Sequence, residues 1–391
     1  MATRNRIGIL TGGGDVPGLN PVIKSVVYGG NEMGREVIGI RRGWEGLTHL
    51  NPSLETDSTY VRPLTRENTR TIDRTGGTVL HTSRMNPRKM SPNKVPAYVT
   101  AEALKKLPFD GKVYDFTPIV LSNLERLGIG CLIAIGGDDT LSYAAVLAAT
   151  GFPTIAIPKT MDNDVQGTEY CIGFSTAVTR AKELITRQRT TLGSHERTGF
   201  FRIFGRDAGF TALYTAYVTS ARCLIPECKF DLERVVNILY EDKRNNSSNY
   251  SLVIISEGAT WNEGTVTEYG EADAFGHRKK ADVGQALAEE YKRRTGQETM
   301  TSDLTYDLRS GEPDAIDQMI AITFANIALE LISGGNSGRM VGIKGGCYAH
   351  VPIPDPGLGA RKVDVATMYN TERYRPNYRS KLGLPLLFSR V

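Results

Sequence analysis

Two patterns of apolar residues alternate along this chain. Short unbroken apolar runs are followed by longer stretches in which apolar residues recur every three or four positions, and that change of period separates strand from helix. Residues 6–10, 36–40, 131–135, 153–158, 200–204, 223–225, 251–256, 299–305 and 340–344 read as strands. Helical spacing covers residues 21–33, 117–127, 140–150, a stretch from about 174 to 189, 208–220, 231–242, 282–294 and 314–332. The last of these is apolar on most sides, which predicts a buried helix. Asn20 suits an N-cap and Pro21 a first helical residue. Residues 51–75 are polar and read as irregular. Residues 86–115, rich in Pro, Lys and Asn, read as a surface insertion with one short helix near 100–107, and the tail from Pro352 reads as irregular. Strands alternating with helices predict a parallel α/β architecture, and no repeat of the solenoid kind is present.

Composition narrows the class. The 391 residues are enough for two domains. A 40% hydrophobic and 23% charged chain with a net charge of +4 and no long basic block is an ordinary globular one that offers no nucleic-acid surface. The five cysteines form no C-x-x-C pair, which suits a reducing cytosol. Cys131, Cys171 and Cys347 stand in apolar or Gly-rich surroundings and are expected to act as small hydrophobes. No signal-peptide core precedes the first strand, and no apolar stretch is expected to cross a membrane, so the reading is cytoplasmic.

Three strand ends carry the candidate chemistry. The first strand runs into Thr11-Gly12-Gly13-Gly14-Asp15 and then a helix. Strand, Gly-rich turn and helix offer backbone N–H groups to a phosphate. No Gly-Lys-Ser/Thr follows, so this is not a Walker A loop. The 131–135 strand ends in Gly136-Gly137-Asp138-Asp139-Thr140. Carboxylates beside a phosphate cradle make sense if Mg²⁺ bridges them, because bare carboxylates would repel the phosphate. The 153–158 strand ends in Lys159-Thr160-Met161-Asp162-Asn163-Asp164, where a cation, a hydroxyl and two carboxylates would project into one crevice. A tight βα turn, helix capping by Asp and a polar turn account for each stretch taken singly. Three such turns on one sheet point to a phosphate-handling cleft.

Gly13-Gly14-Asp15-x-Pro17-Gly18-x-Asn20, Arg84, Gly136-Gly137-Asp138, Thr160-x-Asp162-Asn163-Asp164, Gly173-Phe174-x-Thr176-Ala177, Gly205-Arg206 and Glu257-Gly258 occur in this order over most of residues 6–345. As an ordered set they resemble the phosphofructokinase family. The resemblance implies two similar Rossmann-like α/β domains with the active site in the cleft between them. A larger phosphoryl-donor domain would comprise 1–173 with 308–358 and a smaller sugar-phosphate domain 174–307, followed by an extension, 359–391. It also implies Mg²⁺-dependent phosphoryl transfer to the 1-hydroxyl of fructose 6-phosphate. Asp162 corresponds to the base, Asp138 to the magnesium ligand, and Gly14, Arg84 and Arg206 to phosphoryl-stabilising groups. Gly13, Gly14, Arg84, Asp139, Thr140 and Lys159 would bind the donor. Thr160, Asp162, Asp164, Phe204, Gly205, Arg206, Glu257, Tyr306 and Arg309 would bind the sugar phosphate. Arg197 corresponds to a residue that reaches in from a neighbouring subunit, implying a homodimer or homotetramer.

Two positions bear on the donor. ATP-using members usually carry Gly-Gly-Asp-Gly and Pro-Gly-Thr, whereas this chain has Asp139 and Lys159, a pair resembling the pyrophosphate-dependent branch. A carboxylate at 139 would crowd and repel the α-phosphate of ATP, while Lys159 could hold a short, highly charged pyrophosphate. Met300 and Tyr306 stand where bacterial ATP enzymes have an Arg and a His, which leaves room for another sugar phosphate such as sedoheptulose 7-phosphate. An ATP-dependent enzyme that tolerates Asp139 and a catalytically silent sugar-phosphate sensor are the competing readings.

Overall fold

The computed structural model describes residues 5–54, 57–262 and 282–379, with the backbone of 268–269 and 279–280. In chain order the strands are β1 Arg6–Thr11, β2 Val37–Ile40, β3 Val61–Leu64, β4 Ile129–Gly136, β5 Thr154–Pro158, β6 Thr198–Ile203, β7 Arg222–Leu224 and β8 Ser251–Ser256. They continue with β9 Glu268–Tyr269, β10 Lys279–Lys280, β11 Thr299–Asp303, β12 Arg339–Lys344, β13 Cys347–Pro352, β14 Tyr369–Asn370 and β15 Arg375–Pro376. Two sheets dominate, one of seven strands in the order β13-β12-β5-β4-β1-β2-β3 and one of four in the order β11-β6-β8-β7. The chain is thus a mixed α/β protein with helices packed on parallel sheets. β5 is buried along its whole length and β4 nearly so, which is why both read as continuous apolar runs rather than alternating ones.

The parallel expectation holds for the four-stranded sheet and for the interior of the larger one. It is corrected at both edges of the larger sheet, where β3 and β13 run antiparallel. β3 lies inside the polar stretch 51–75, and Pro63 sits in it because an edge strand has no second partner needing that N–H. Its two outward residues, Arg62 and Pro63, hide the strand from an apolar count. The short helix of the insertion is Ala101–Leu104, and Pro87–Lys89 and Pro92–Lys94 add single 3₁₀ turns.

Helix starts also differ from expectation. The first helix is Leu19–Glu32, with Gly18 in the left-handed region as its N-cap, so Asn20 does not cap it. The Asn20 side chain instead donates to Thr75 and Gly76 and accepts from the Val79 N–H, pinning the 75–79 loop beside the Gly-rich turn. Asp138 and Asp139 lie inside the first turn of the helix Asp138–Ala149 rather than before it. The helix Ala315–Ser333 is long and apolar enough by length and composition to cross a membrane, correcting that expectation. It packs against the first helix, with Phe324, Ala325 and Ala328 fully buried, as a core helix does. Cys347 is exposed on the edge strand β13, so it is not the small hydrophobe expected, whereas Cys131, Cys171 and Cys223 are buried.

In the larger sheet the chain leaves β1 for β2 on one side and later returns to β4 on the other. That reversal opens a crevice beyond the C-terminal ends of β1 and β4, where open α/β sheets hold their ligands. The turns at 12–15 and 136–140 flank it.

Candidate active site

The Gly12–Asp15 turn is built for close approach. Gly12 lies against the Thr140 hydroxyl, where an added Cβ would stand 2.5 Å from the oxygen. Gly13 has φ +76°, and its Cβ position is 3.3 Å from the Lys159 ammonium, while a Cβ on Gly14 would run into the Arg309 guanidinium. Only glycine leaves these groups room and also accepts the left-handed φ at 13. The segment 82–84 is zipped onto the turn, the Gly13 N–H donating to the Ser83 carbonyl (3.0 Å) and the Thr82 hydroxyl to the Gly13 carbonyl (2.5 Å). This brings Arg84, exposed on the cleft, beside Lys159.

Lys159 is 3% exposed. Burial, and then the Arg309 charge, push its ammonium down to about 8, with Arg84 adding to the effect and Asp15 and Asp139 opposing it. Arg309 is held 3.7 Å from Asp15 and lies over the Phe204 ring at 4.9 Å. The result is a cationic pocket of Lys159, Arg84 and Arg309 around a Gly-rich turn, with Asp139 at its rim. Such a pocket suits a compact polyanion.

The two carboxylates of the β5 loop form a second group. The Asp162 N–H donates to the Thr160 hydroxyl at 3.1 Å. Asp162 is raised well above the ordinary carboxylate range by burial, then by Asp164 and Glu257, while the Arg206 backbone N–H and guanidinium pull it back. Asp164 is raised chiefly by burial, with Asp207 adding to it. Asp138, open to the cleft, is nonetheless pushed up to about 7, by desolvation first and then by Asp164, Asp139 and Asp207. A buried carboxylate raised above its ordinary range and facing an arginine in a cleft, as Asp162 is, is what general-base chemistry uses.

The four-stranded sheet supplies the other wall. Gly205-Arg206 follows β6 and Glu257-Gly258 follows β8, so both arrive at the C-terminal edge of that sheet. The Gly258 N–H donates to the Gly205 carbonyl at 3.1 Å, locking the two loops together. Glu257 stands 3.7 Å from Arg206 and 3.6 Å from Arg202, and Arg202 also pairs with Asp303 at 2.7 Å.

Lys159, Thr160, Asp162 and Asp164 do not face one common spot. Lys159 turns to the Gly-rich turn, and Asp162 and Asp164 to Arg206, Glu257 and Asp207. Gly13, Gly14, Arg84, Asp138, Asp139, Thr140, Phe204, Gly205, Arg206, Glu257 and Arg309 all border this cleft. Tyr306 is 78% exposed, so its ring is not buried in the cluster. Arg197 precedes β6 at its N-terminal end, the opposite edge of the sheet from Arg206. Met300 packs against the apolar core and pairs across the sheet with Gly199. Sequence reasoning did not single out Asp15 as a charge partner, Arg202 as the cation under Glu257, or Arg361, which reaches the β5 loop from the tail. Asp15 was within reach, since it ends the Gly-rich turn, but an Arg in an irregular tail carries no periodic or motif signal.

A profile of the phosphofructokinase family, described as "Phosphofructokinase", matches residues 6–332. A pyrophosphate–fructose 6-phosphate 1-phosphotransferase of Streptomyces coelicolor is 37% identical over 365 residues, covering 92% of this chain and 97% of the relative. An ATP-dependent 6-phosphofructokinase of Corynebacterium efficiens is 35% identical over 344 residues, covering 87% and 90%. Among solved structures, a pyrophosphate-dependent phosphofructokinase from Marinobacter aquaeolei shares the fold with a TM-score of 0.73 at 17% identity, covering 96% of this chain and 89% of that one.

Proposed function

The chain belongs to the phosphofructokinase family, and from that premise we propose that it transfers a phosphoryl group reversibly from pyrophosphate to the 1-hydroxyl of fructose 6-phosphate. The reading rests on one observation above others, the buried Lys159 ammonium directed at Gly13 with Asp139 at the pocket rim. The pocket offers concentrated positive charge over a short distance. On this reading the Asp139 carboxylate would stand where a longer donor continues, which would disfavour ATP by repulsion and lost space.

In this scheme Lys159, Arg84 and the backbone of Gly13 and Gly14 hold the pyrophosphate, with Thr140 beneath the turn. Asp162 takes the proton of the sugar hydroxyl as its oxygen attacks the terminal phosphorus. The bridging P–O bond then breaks and phosphate leaves. Arg206 faces Asp162 and stabilises charge on the phosphoryl group in flight. Thr160, Asp164, Phe204, Gly205 and Glu257 line the sugar-phosphate side, and Arg309, stacked on Phe204 and beside Lys159, would serve both ligands. Among the described residues no three carboxylates close into a ready-made metal cage. Mg²⁺ needs none, since it is ordinarily held by one or two carboxylates and the substrate phosphates. Asp138 fits that role: desolvation and then the neighbouring Asp164, Asp139 and Asp207 disfavour its bare negative charge, which a bound cation would offset. Bound there, Mg²⁺ would neutralise charge building on the phosphates.

The donor side (1–173 with 308–358) and the sugar side (174–307) divide the work in this proposal, as two units meeting at the cleft. Arg197, at the far edge of its own sheet, would serve the sugar phosphate of a second subunit, so we take the active species to be a homo-oligomer.

The test is formation of fructose 1,6-bisphosphate with Mg²⁺ and either pyrophosphate or ATP, side by side. Turnover with pyrophosphate alone is expected, and Asp139→Gly with Lys159→Gly should relax the exclusion of ATP. Turnover with ATP alone would sink the donor assignment. That outcome has its own support in the ATP-dependent relative at 35% identity. Inactivity with both donors on fructose 6-phosphate, with turnover of sedoheptulose 7-phosphate, would instead trace to the Met300 and Tyr306 positions.

A further inference from the structure

The tail beyond β13 crosses from the larger sheet to the smaller one, and it touches the β5 loop as it passes. The Arg361 N–H donates to the Asp164 carbonyl at 2.6 Å. Its guanidinium Nη2 donates to the Asn163 carbonyl at 2.6 Å and to the Glu169 carbonyl at 3.2 Å, and the same group lies over the Phe210 ring at 4.2 Å. The next residue, Lys362, donates from its ammonium to the Asp207 carbonyl, one residue beyond Arg206. The Val363 N–H then donates to Glu227 at 2.9 Å, whose carboxylate also accepts the Gly209 N–H. Farther on the tail is fixed firmly. The Tyr369 hydroxyl donates to the Cys223 carbonyl, the Tyr374 hydroxyl accepts from the Asp231 N–H, and both rings are buried.

The loop that Arg361 grips has an unfavourable backbone. Asn163 adopts φ +54°, left-handed for a non-glycine residue, and it is 3% exposed. Asn tolerates this region better than other side chains do, at a modest cost that hydrogen bonds around the turn can offset. The Asn163 side chain supplies some of those bonds, donating to Glu169 and accepting from the Cys171 N–H. Arg361 supplies the rest from outside the loop.

We propose that Arg361 is a positioning residue for phosphoryl transfer: by gripping the Asn163, Asp164 and Glu169 carbonyls against Phe210 it fixes the direction of the Asp162 carboxylate, and with Lys362 it ties that loop to the Arg206 segment across the cleft. The proposal rests on Asp162 being the base, as read above. The tail is then a strap that sets base and arginine at one separation, which neither sheet does alone. A misplacement of about 1 Å at a reacting group can lower a rate by about a hundredfold.

The full-length protein is assayed as wild type, Arg361→Ala, Arg361→Lys and Lys362→Ala, with whichever donor the wild type uses. Arg361→Ala is expected to lower kcat by at least about tenfold while changing KM for the donor by less than about threefold. Guanidinium at millimolar concentration should restore part of that kcat, and Arg361→Lys should not, because an ammonium cannot span two carbonyls and stack on a ring. Amide exchange of the 161–169 segment should rise in Arg361→Ala. Lys362→Ala should give a smaller fall in kcat with the melting temperature nearly kept. A kcat of Arg361→Ala within about twofold of wild type, or unchanged exchange in 161–169, would overturn the proposal. So would a loss that guanidinium does not relieve and that Arg361→Lys repairs together with the melting temperature, since that is a purely structural role. If the wild type turns over neither donor, the function assigned above fails, and the exchange measurement still decides the fate of Arg361.

Discussion

At the scale of single residues the site is a matter of charges placed where they are costly. Asp162 and Asp164 are raised by burial, and Asp162 further by Asp164 and Glu257, so Asp162 holds a proton more readily than a free carboxylate. As the base it should lose its function completely in Asp162→Asn, with kcat falling by about 10² to 10⁴ and KM values moving little; full activity in that variant would remove Asp162 from the mechanism. Lys159 gives the pH dependence on the other side. Burial and Arg309 have lowered it to about 8, so it loses its charge at lower pH than an ordinary lysine. The free enzyme's affinity for an anionic donor should therefore decline above about pH 8, seen in kcat/KM for pyrophosphate. A bound polyanion favours the charged ammonium, so kcat should hold to higher pH. A flat kcat/KM from pH 7 to 10 would show that Lys159 does not meet the donor. The individual residues of both groups were legible, because the family's motifs carry them in order. Their partition into a Lys159 group and an Asp162 group was not. Alternation along a loop depends on backbone angles, such as the φ of Asn163, that residue type alone does not set.

Elements hold those residues in place through their ends. The N-terminus of the helix Phe174–Ser194 is capped from another helix. Asp317, fully buried on Ala315–Ser333, accepts from the Gly173 and Thr176 N–H groups, the Thr176 hydroxyl and the Tyr170 hydroxyl. Burial pushes its carboxyl up to about 6 while these donors oppose the rise, so it is ionised at neutral pH. All four partners are donors, and an amide NH₂ in its place would face them with hydrogens. Asp317→Asn should lower stability by about 1–3 kcal/mol at neutral pH, measured by urea unfolding. A midpoint unchanged within error would mean the four bonds add nothing net. Most strands and helices could be read from periodicity because each buries one face or both. The edge strands β3 and β13 escaped, since an edge strand half open to solvent has no apolar run to display. The start of the first helix escaped as well, because the Asn20 side chain is taken up by the 75–79 loop.

For the whole molecule the decisive feature is that two sheets and a tail converge on one cleft. Arg197 lies at the edge of the four-stranded sheet away from Arg206, so its own cleft is out of reach across the length of β6. If a second copy receives it, Arg197→Ala should raise KM for the sugar phosphate several-fold with kcat nearly kept, and mixed oligomers of Arg197→Ala and Asp162→Asn chains should recover activity. An unchanged KM would argue that the sugar phosphate is held within one chain.

The α/β class and the strand ends that carry the charged loops follow from sequence alone. Local physics accounts for this. Buried strands must be apolar, turns that approach a phosphate must be glycine, and a motif keeps its spacing because chain geometry fixes what adjacent residues can reach. Which charges meet is set by contacts between segments distant in the chain. Lys159 joins Asp15 and Arg309 from distant segments, Asp162 faces Arg206 and Glu257 from the other sheet, and Arg361 returns from the tail to hold the Asn163 turn. Those meetings join residues 44 to 198 positions apart, and burial alters their electrostatics by desolvation, which no local pattern records.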